Sequence, residues 1–251
     1  MARLITIGRY TEIIRRIEGL RRTGRTNVVV LDVLRRSGYA LPFFELSAGP
    51  TSGPQITLSA GLHGDEPAGI EALLQFFERE TSPPIGVTAL PCINPTGVIA
   101  GTRRNDLGID LNRTFGQEGG PQEVELVRFA LAGRRFDCGI DLHEDIESRG
   151  FYLYEHVRGD RKPLGHRIVA AIRAAGMPIN DASAIEGRAL IDGCVEPAEE
   201  TLSPQVGFYS IYLFERHSDM TLVPESPGVL PLPARAAMHL RAIDSVVASL
   251  V

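Results

Sequence analysis

The chain has 251 residues, of which 43% are apolar and 23% charged, and its formal net charge is −5. That length and apolar content allow a sizeable buried core and exclude a disordered polymer, while the negative balance gives no general pull toward nucleic acid or anionic membranes. No apolar run reaches a membrane span and the N-terminus lacks an uninterrupted apolar signal core, so the expectation is one cytoplasmic domain over residues 1–251 with no nucleic-acid or membrane partner.

Residues 10–22 carry Ile13, Ile14, Ile17 and Leu20 at helical spacing and end near Gly24. Nine arginines from Arg3 to Arg36 stand against Glu12, Glu18 and Asp32, which is read as a solvated helix face rather than a nucleic-acid patch. Residues 28–34, 42–48 and 55–63 read as strands separated by SGYA and the turn-rich GPTSGP. After Gly64, EPAGIEALLQFFERE has helical periodicity through Ile70, Leu73, Leu74 and Phe77, with Glu66 and Pro67 in its first turn.

VTALPCINP follows as a strand, PQEVELVRFALAGR as a helix, and FDCGIDLHE and FYLYEHV as strands. RKPLGHRIVAAIRAAG is a helix closed by Gly176, GFYSIYLFERH and MTLVPES are late strands, and LPARAAMHLRAIDSVVASLV is a terminal helix. Cys92, Cys138 and Cys194 are odd in number and widely spaced, so they are expected as free thiols. The alternation predicts a three-layer α/β/α fold with a central mixed, mostly parallel sheet and ligands beyond the carboxyl ends of its strands.

Four segments concentrate the chemistry: LHGDE at 62–66, RRNDLGIDLNR at 103–113, DLHE at 141–144 and TLVPES at 221–226. His63 closes an apolar strand, Glu66 opens the next helix across a Gly61–Gly64 turn, and His143 ends another strand. A single strand-end histidine is more often a satisfied core residue. Two of them with an adjacent carboxylate suit zinc with three protein ligands and a position left for water.

In this order the residues resemble the zinc carboxypeptidase family, whose motifs run H-x-x-E, an upstream arginine, D-x-N-R, then a distant His and Glu. The resemblance covers the chain from about residue 55 onward. It implies one Zn2+ per chain on His63, Glu66 and His143, with Asp110 orienting His63. It further implies Arg104 at the oxyanion, Asn112 and Arg113 on a substrate carboxylate, and Glu225 as general base.

Glu215 in IYLFERH competes with Glu225, and the active-site tyrosine of many members has no clear counterpart, Tyr209 and Tyr212 being merely near in sequence. The acidic run EDIE at 144–147 is read as a solvated loop beside the site rather than a second metal site. His156, His166, His217 and His239 are read as structural.

The resemblance implies a zinc-dependent amide hydrolase, first a metallocarboxypeptidase acting on a small peptide with a free carboxylate. The alternative is an N-acyl amino acid deacylase of the related succinylglutamate desuccinylase/aspartoacylase group. The chain is expected to finish on a helix directly after the base-bearing strand, leaving no room for the additional C-terminal β domain associated with that group, and this expectation places the peptidase first. A metal-binding protein without catalysis is the third reading. Substrate preference is assigned to residues 180–220, which match no motif, and neither oligomeric state nor the choice of zinc over Mn, Co or Ni is written in the sequence.

Overall fold

Among the described residues, ten strands form one mixed sheet in the order β1-β2-β4-β3-β5-β10-β6-β9-β8-β7, with helices on its faces. The computed structural model describes residues 2–36, 38–196 and 207–251. Helix α1 (Ala2–Thr23) leads into the hairpin β1 (Asn27–Arg36) and β2 (Tyr39–Ala48), followed by β3 (Gln55–Ala60), α2 (Pro67–Glu78), β4 (Gly86–Leu90) and α3 (Pro95–Ala100). Helix α4 (Gln122–Leu131) precedes β5 (Cys138–Asp145), β6 (Tyr152–Val157) and α5 (Gly165–Ala174). The short strands β7 (Ala184–Ile185), β8 (Arg188–Ile191) and β9 (Cys194–Val195) come next, then α6 (Tyr209–Arg216), β10 (Met220–Pro227) and α7 (Leu232–Leu250).

Strands β4, β3, β5 and β10 are neighbours and all parallel, whereas the flanking β2–β4 and β10–β6 pairings are antiparallel. The parallel strands are buried on both faces, which is why ITLSA, GVTAL and CGIDL read as near-continuous apolar runs. From β3 the chain moves to β4 on one side and then crosses to β5 on the other. Such a switch of direction opens a crevice at the carboxyl ends of the strands.

Side-chain parity assigns the two faces. Leu142 meets α2 at Gly69, where an added Cβ would lie 2.8 Å from the Leu142 Cβ, while Gly139 meets Leu213 of α6. The glycine at position 69 therefore lets α2 approach the sheet closely, which matters because α2 begins directly after Glu66. Ile56, Leu58, Leu73 and Leu74 are buried between these layers, each contributing about 1.5–3 kcal/mol over an exposed state.

One expected strand is a helix. GFYSIYLFERH forms α6, burying Tyr209, Ile211, Leu213 and Phe214. A short aromatic-rich run of this kind alternates well enough to imitate a strand, and periodicity alone does not separate the two. Helix α1 is longer than expected, and Arg16 docks it by ion pairs to Glu71 and Glu78 of α2. Cys92 and Cys138 are buried and all three cysteines are free. Among the described residues no helix is long and apolar enough to cross a membrane.

Candidate metal centre

The parallel register brings one row of side chains together on the α6 face. Ser59 of β3 pairs with Asp141 of β5, His143 with Glu225 of β10, and Glu225 in turn with Tyr152 of β6. His63 lies three residues past β3, in a turn that Gly61 makes possible at φ +63°. The turn is pressed against the segment around α3. A Cβ at Gly64 would stand 1.9 Å from the Gly97 carbonyl carbon, and the Gly64 N–H donates to the Thr102 carbonyl at 3.0 Å.

His63, Glu66 and His143 converge, each offering one ligand atom with all three atoms within 4.8 Å of one another. His63 Nδ1 lies 2.6 Å from Glu66 Oε1, and His143 Nδ1 lies 2.8 Å from Glu66 Oε2. The outward nitrogens face other carboxylates: His143 Nε2 is 2.8 Å from Asp141 Oδ2, and His63 Nε2 is 3.4 Å from Asp110 Oδ1. Inward Nδ1 atoms, outward carboxylates and a buried glutamate between the rings are the donor set and support that suit a zinc ion. Among the described residues no other group of three His, Cys, Asp or Glu side chains converges in this way.

Electrostatics tie the cluster together. Burial would raise the Glu66 pKa, but His143 and His63 hold it down at about 2. Burial would lower that of His143, yet Asp141 and Glu66 bring it well above the ordinary imidazole value. The raised value favours the imidazolium form of His143 in metal-free protein, in which each ring N–H faces a carboxylate. The stability that Glu66 contributes is present above its ordinary value near 4.5 and is lost as pH falls toward 2. That of His143 is fully present below about 6.5 and is lost as pH rises through its elevated folded value. The Tm of metal-free protein is thus expected to fall as pH is raised above about 6.5, and His143→Gln is expected to flatten that fall. A thermal series in chelator checks this, and equal slopes in both proteins would contradict it.

Asp110 connects three groups. Its Oδ1 accepts from the Asn112 N–H at 3.1 Å and faces His63, while its Oδ2 accepts from Arg103 Nε at 3.0 Å. Arg103 also brings Nη1 to 3.3 Å from His63 Nδ1 and 3.9 Å from Glu66 Oε1. The arginine that reaches the cluster is therefore Arg103, whereas Arg104 is turned to the Gly108 carbonyl, to which its Nη1 donates at 2.8 Å. Buried Asn105 sets this orientation by accepting from the N–H groups of Leu107 and Ile109.

Asn112 Oδ1 accepts from the Tyr209 N–H at 2.9 Å, and the exposed Arg113 guanidinium stacks 4.5 Å from the centre of the Phe208 ring. Asn112 and Arg113 are thus braced from the start of α6, a support with no advance sign in the sequence. Glu225 is partly exposed beside His143. Burial, reinforced by Glu66, Asp145 and Asp141 and opposed by His143, places its pKa well above the ordinary carboxylate value.

Glu215 sits on α6, with its carboxylate 2.9 Å from Arg158 Nη2, the arrangement of a salt-bridged surface group. Tyr212 pairs its hydroxyl with His217 Nε2 at 3.0 Å. The tyrosine next to Glu225 is Tyr152, unremarked in the sequence, whose hydroxyl donates to Asp145 Oδ2 at 2.9 Å. His239 is buried, and burial with nearby His143 pushes its pKa down to about 3. Glu144 is also buried, so the run 144–147 does not begin as a solvated loop. Of the region expected to set substrate preference, residues 197–206 lie outside the described residues.

Residues 52–189, more than half of the chain, match the succinylglutamate desuccinylase/aspartoacylase catalytic domain. The chain belongs to this family. The matched span contains His63, Glu66, Arg103, Asp110, Asn112, Arg113 and His143, while Glu225 lies beyond it. No curated protein matches the chain.

Solved structures share the fold. A Shewanella amazonensis protein, provisionally named a metallopeptidase, is 22% identical with a TM-score of 0.77, covering 98% of this chain and 93% of its own. A metallo-carboxypeptidase from Burkholderia cenocepacia is 16% identical with a TM-score of 0.68, covering 93% of this chain and 67% of its own. A succinylglutamate desuccinylase/aspartoacylase from Rhodobacter sphaeroides is 21% identical with a TM-score of 0.59, covering 87% and 63% respectively.

Proposed function

We propose that this family member is a zinc-dependent hydrolase of an amide bond in a small substrate that carries a free carboxylate. The observation that carries the reading is the convergence of His63, Glu66 and His143 with Glu225 held beside His143 by strand register. A zinc ion there would supply an activated water of pKa near 7 and a Lewis acid for the scissile carbonyl.

The remaining steps belong to the chain. Glu225 takes the proton of the attacking water and delivers it to the departing amine, a task suited to a carboxylate whose pKa burial raises above the ordinary value. Arg103 donates to the oxygen that becomes negative as the carbonyl carbon turns tetrahedral. Asn112 and Arg113 receive the substrate carboxylate, for which a planar guanidinium is geometrically matched. Arg103→Met is expected to lower kcat/KM by about 10²–10³-fold, while Arg104→Met stays within a few-fold. The opposite ranking, with metal content unchanged in both, would return the oxyanion role to Arg104.

The family match favours an acylated amino acid as substrate, and it moves the deacylase reading ahead of the peptidase one. The peptidase reading keeps support from the metallopeptidase-named neighbour that spans nearly the whole chain. The chemistry at the bond is the same in both. Zinc-loaded protein should be offered N-acyl amino acids and short peptides with free C-termini. Turnover of the first set alone supports the deacylase, of the second alone the carboxypeptidase, and of neither the loss of the hydrolase proposal.

A further inference from the structure

Glu66 occupies the N-cap position of α2 but makes no side-chain cap bond there. A carboxylate in this place is attracted by the unpaired N–H groups of the first helical turn and the positive end of the helix. Here its carboxylate points to His63 and His143. The vacated cap is filled from the neighbouring strand: Glu144 Oε1 accepts from the Ala68 N–H at 2.6 Å. Pro67 has no N–H to offer, so Ala68 presents the first free donor of the helix proper.

Two further contacts complete the exchange. The Glu144 N–H donates to Glu66 Oε2 at 3.1 Å, which fixes that oxygen alongside His143. The second carboxylate oxygen of Glu144 accepts from Arg235 Nη1, from the first turn of α7. The guanidinium offsets the charge of a second buried carboxylate next to Glu66. Glu144 and Arg235 thus use no atom that a metal would need.

We infer that Glu144 is a surrogate helix cap and a positioning residue for the metal site, releasing Glu66 from its own helix so that its carboxylate is available to the ion. This rests on the metal-binding reading above. Without an acceptor at position 144, the Ala68 N–H and the positive end of α2 draw the Glu66 carboxylate back, in competition with the metal. Within the acidic run at 144–147, the Glu144 carboxylate is engaged by the Ala68 N–H and Arg235 rather than offered to a second metal ion.

The test measures the zinc dissociation constant by competition with a chromophoric chelator, together with the Tm of the metal-free protein, for wild type, Glu144→Gln, Glu144→Met and Arg235→Met. Glu144→Met is expected to weaken zinc binding by about 10–100-fold, the range found when a supporting group is removed. Glu144→Gln keeps an oxygen for the Ala68 N–H and is expected to stay within about threefold of wild type. Arg235→Met leaves the cap in place and is expected to lower the Tm more than the affinity.

A role in folding alone would lower the Tm of Glu144→Met and leave its zinc affinity unchanged, which overturns the inference. Equal weakening in the Gln and Met variants overturns it too, because charge rather than capping would then be responsible. Should the Met variant fail to fold, Glu144→Ser, too short to reach the Ala68 N–H, takes its place with the same expected weakening. Wild type that binds no zinc overturns the functional reading itself, a result distinct from wild-type affinity in every variant.

Discussion

His63→Ala protein is expected to purify nearly free of metal under conditions in which wild type holds about one zinc per chain, at the one converging group of three such residues among the described residues. Structural zinc sites are bound with about 10–16 kcal/mol, so each of four ligands accounts for about 3 kcal/mol, or roughly a hundred- to a thousand-fold in dissociation constant. The loss reaches beyond one nitrogen. Asp110 would keep Arg103 but lose the imidazole it faces, and Glu66 would lose one of the two groups that hold its pKa near 2. Asp110→Asn is expected to have a smaller effect, about 10–100-fold in affinity. Metal content by mass spectrometry, followed by zinc titration of the stripped proteins, gives both numbers. Wild type that neither carries nor takes up zinc would remove the basis for the proposed chemistry.

Glu225→Gln is expected to lower kcat by about 10²–10⁴-fold, the usual contribution of a positioned acid–base group. Metal stoichiometry and KM are expected to stay close to wild type, because Glu225 is outside the converging trio that would hold the metal and is not one of the groups proposed to receive the substrate carboxylate. A base works when deprotonated, so activity rises as pH passes its pKa. Burial and the carboxylates of Glu66, Asp145 and Asp141 raise that pKa in the metal-free protein, whereas a bound cation moves it down. The acidic limb of the pH–rate profile is therefore expected to shrink in the variant. Glu215→Gln serves as the comparison. Its carboxylate is occupied with Arg158 at the surface, and near-normal turnover is expected. Loss of turnover there, with Glu225→Gln active, would reassign the base.

Much of the centre was legible because a histidine stands close to the carboxyl end of each of two strands, His63 three residues past β3 and His143 two residues before the end of β5. In QITLSAGLH and FDCGIDLHE the apolar run tells where the sheet stops, and the polar residue after it must face the crevice. The choice between Arg103 and Arg104 was not legible. Neighbouring side chains of like chemistry are separated by loop geometry, and that geometry depends on the side chain of Asn105, buried against later residues of its own loop. Helix α6 was hidden by its aromatic-rich composition, and with it the bracing of Asn112 by Tyr209 and Arg113 by Phe208. Glu144 looked solvated because three acidic residues follow one another with a single isoleucine among them. Only the packing of α2 and α7 against β5 reveals that its side chain points inward, as residues of even number on that strand do.

Period two has a harsher corollary for this molecule. Glu225 stands across from His143 only because β10 and β5 are paired in that register. A slip of one residue would rotate the carboxylate through the sheet to the α2 and α7 side and present Pro224 or Ser226 in its place. No intermediate setting exists in which the carboxylate is merely displaced by a small distance. On the proposed mechanism, correct strand pairing and possession of the acid–base group are the same event, and a chain that pairs wrongly is expected to be catalytically empty rather than catalytically weak.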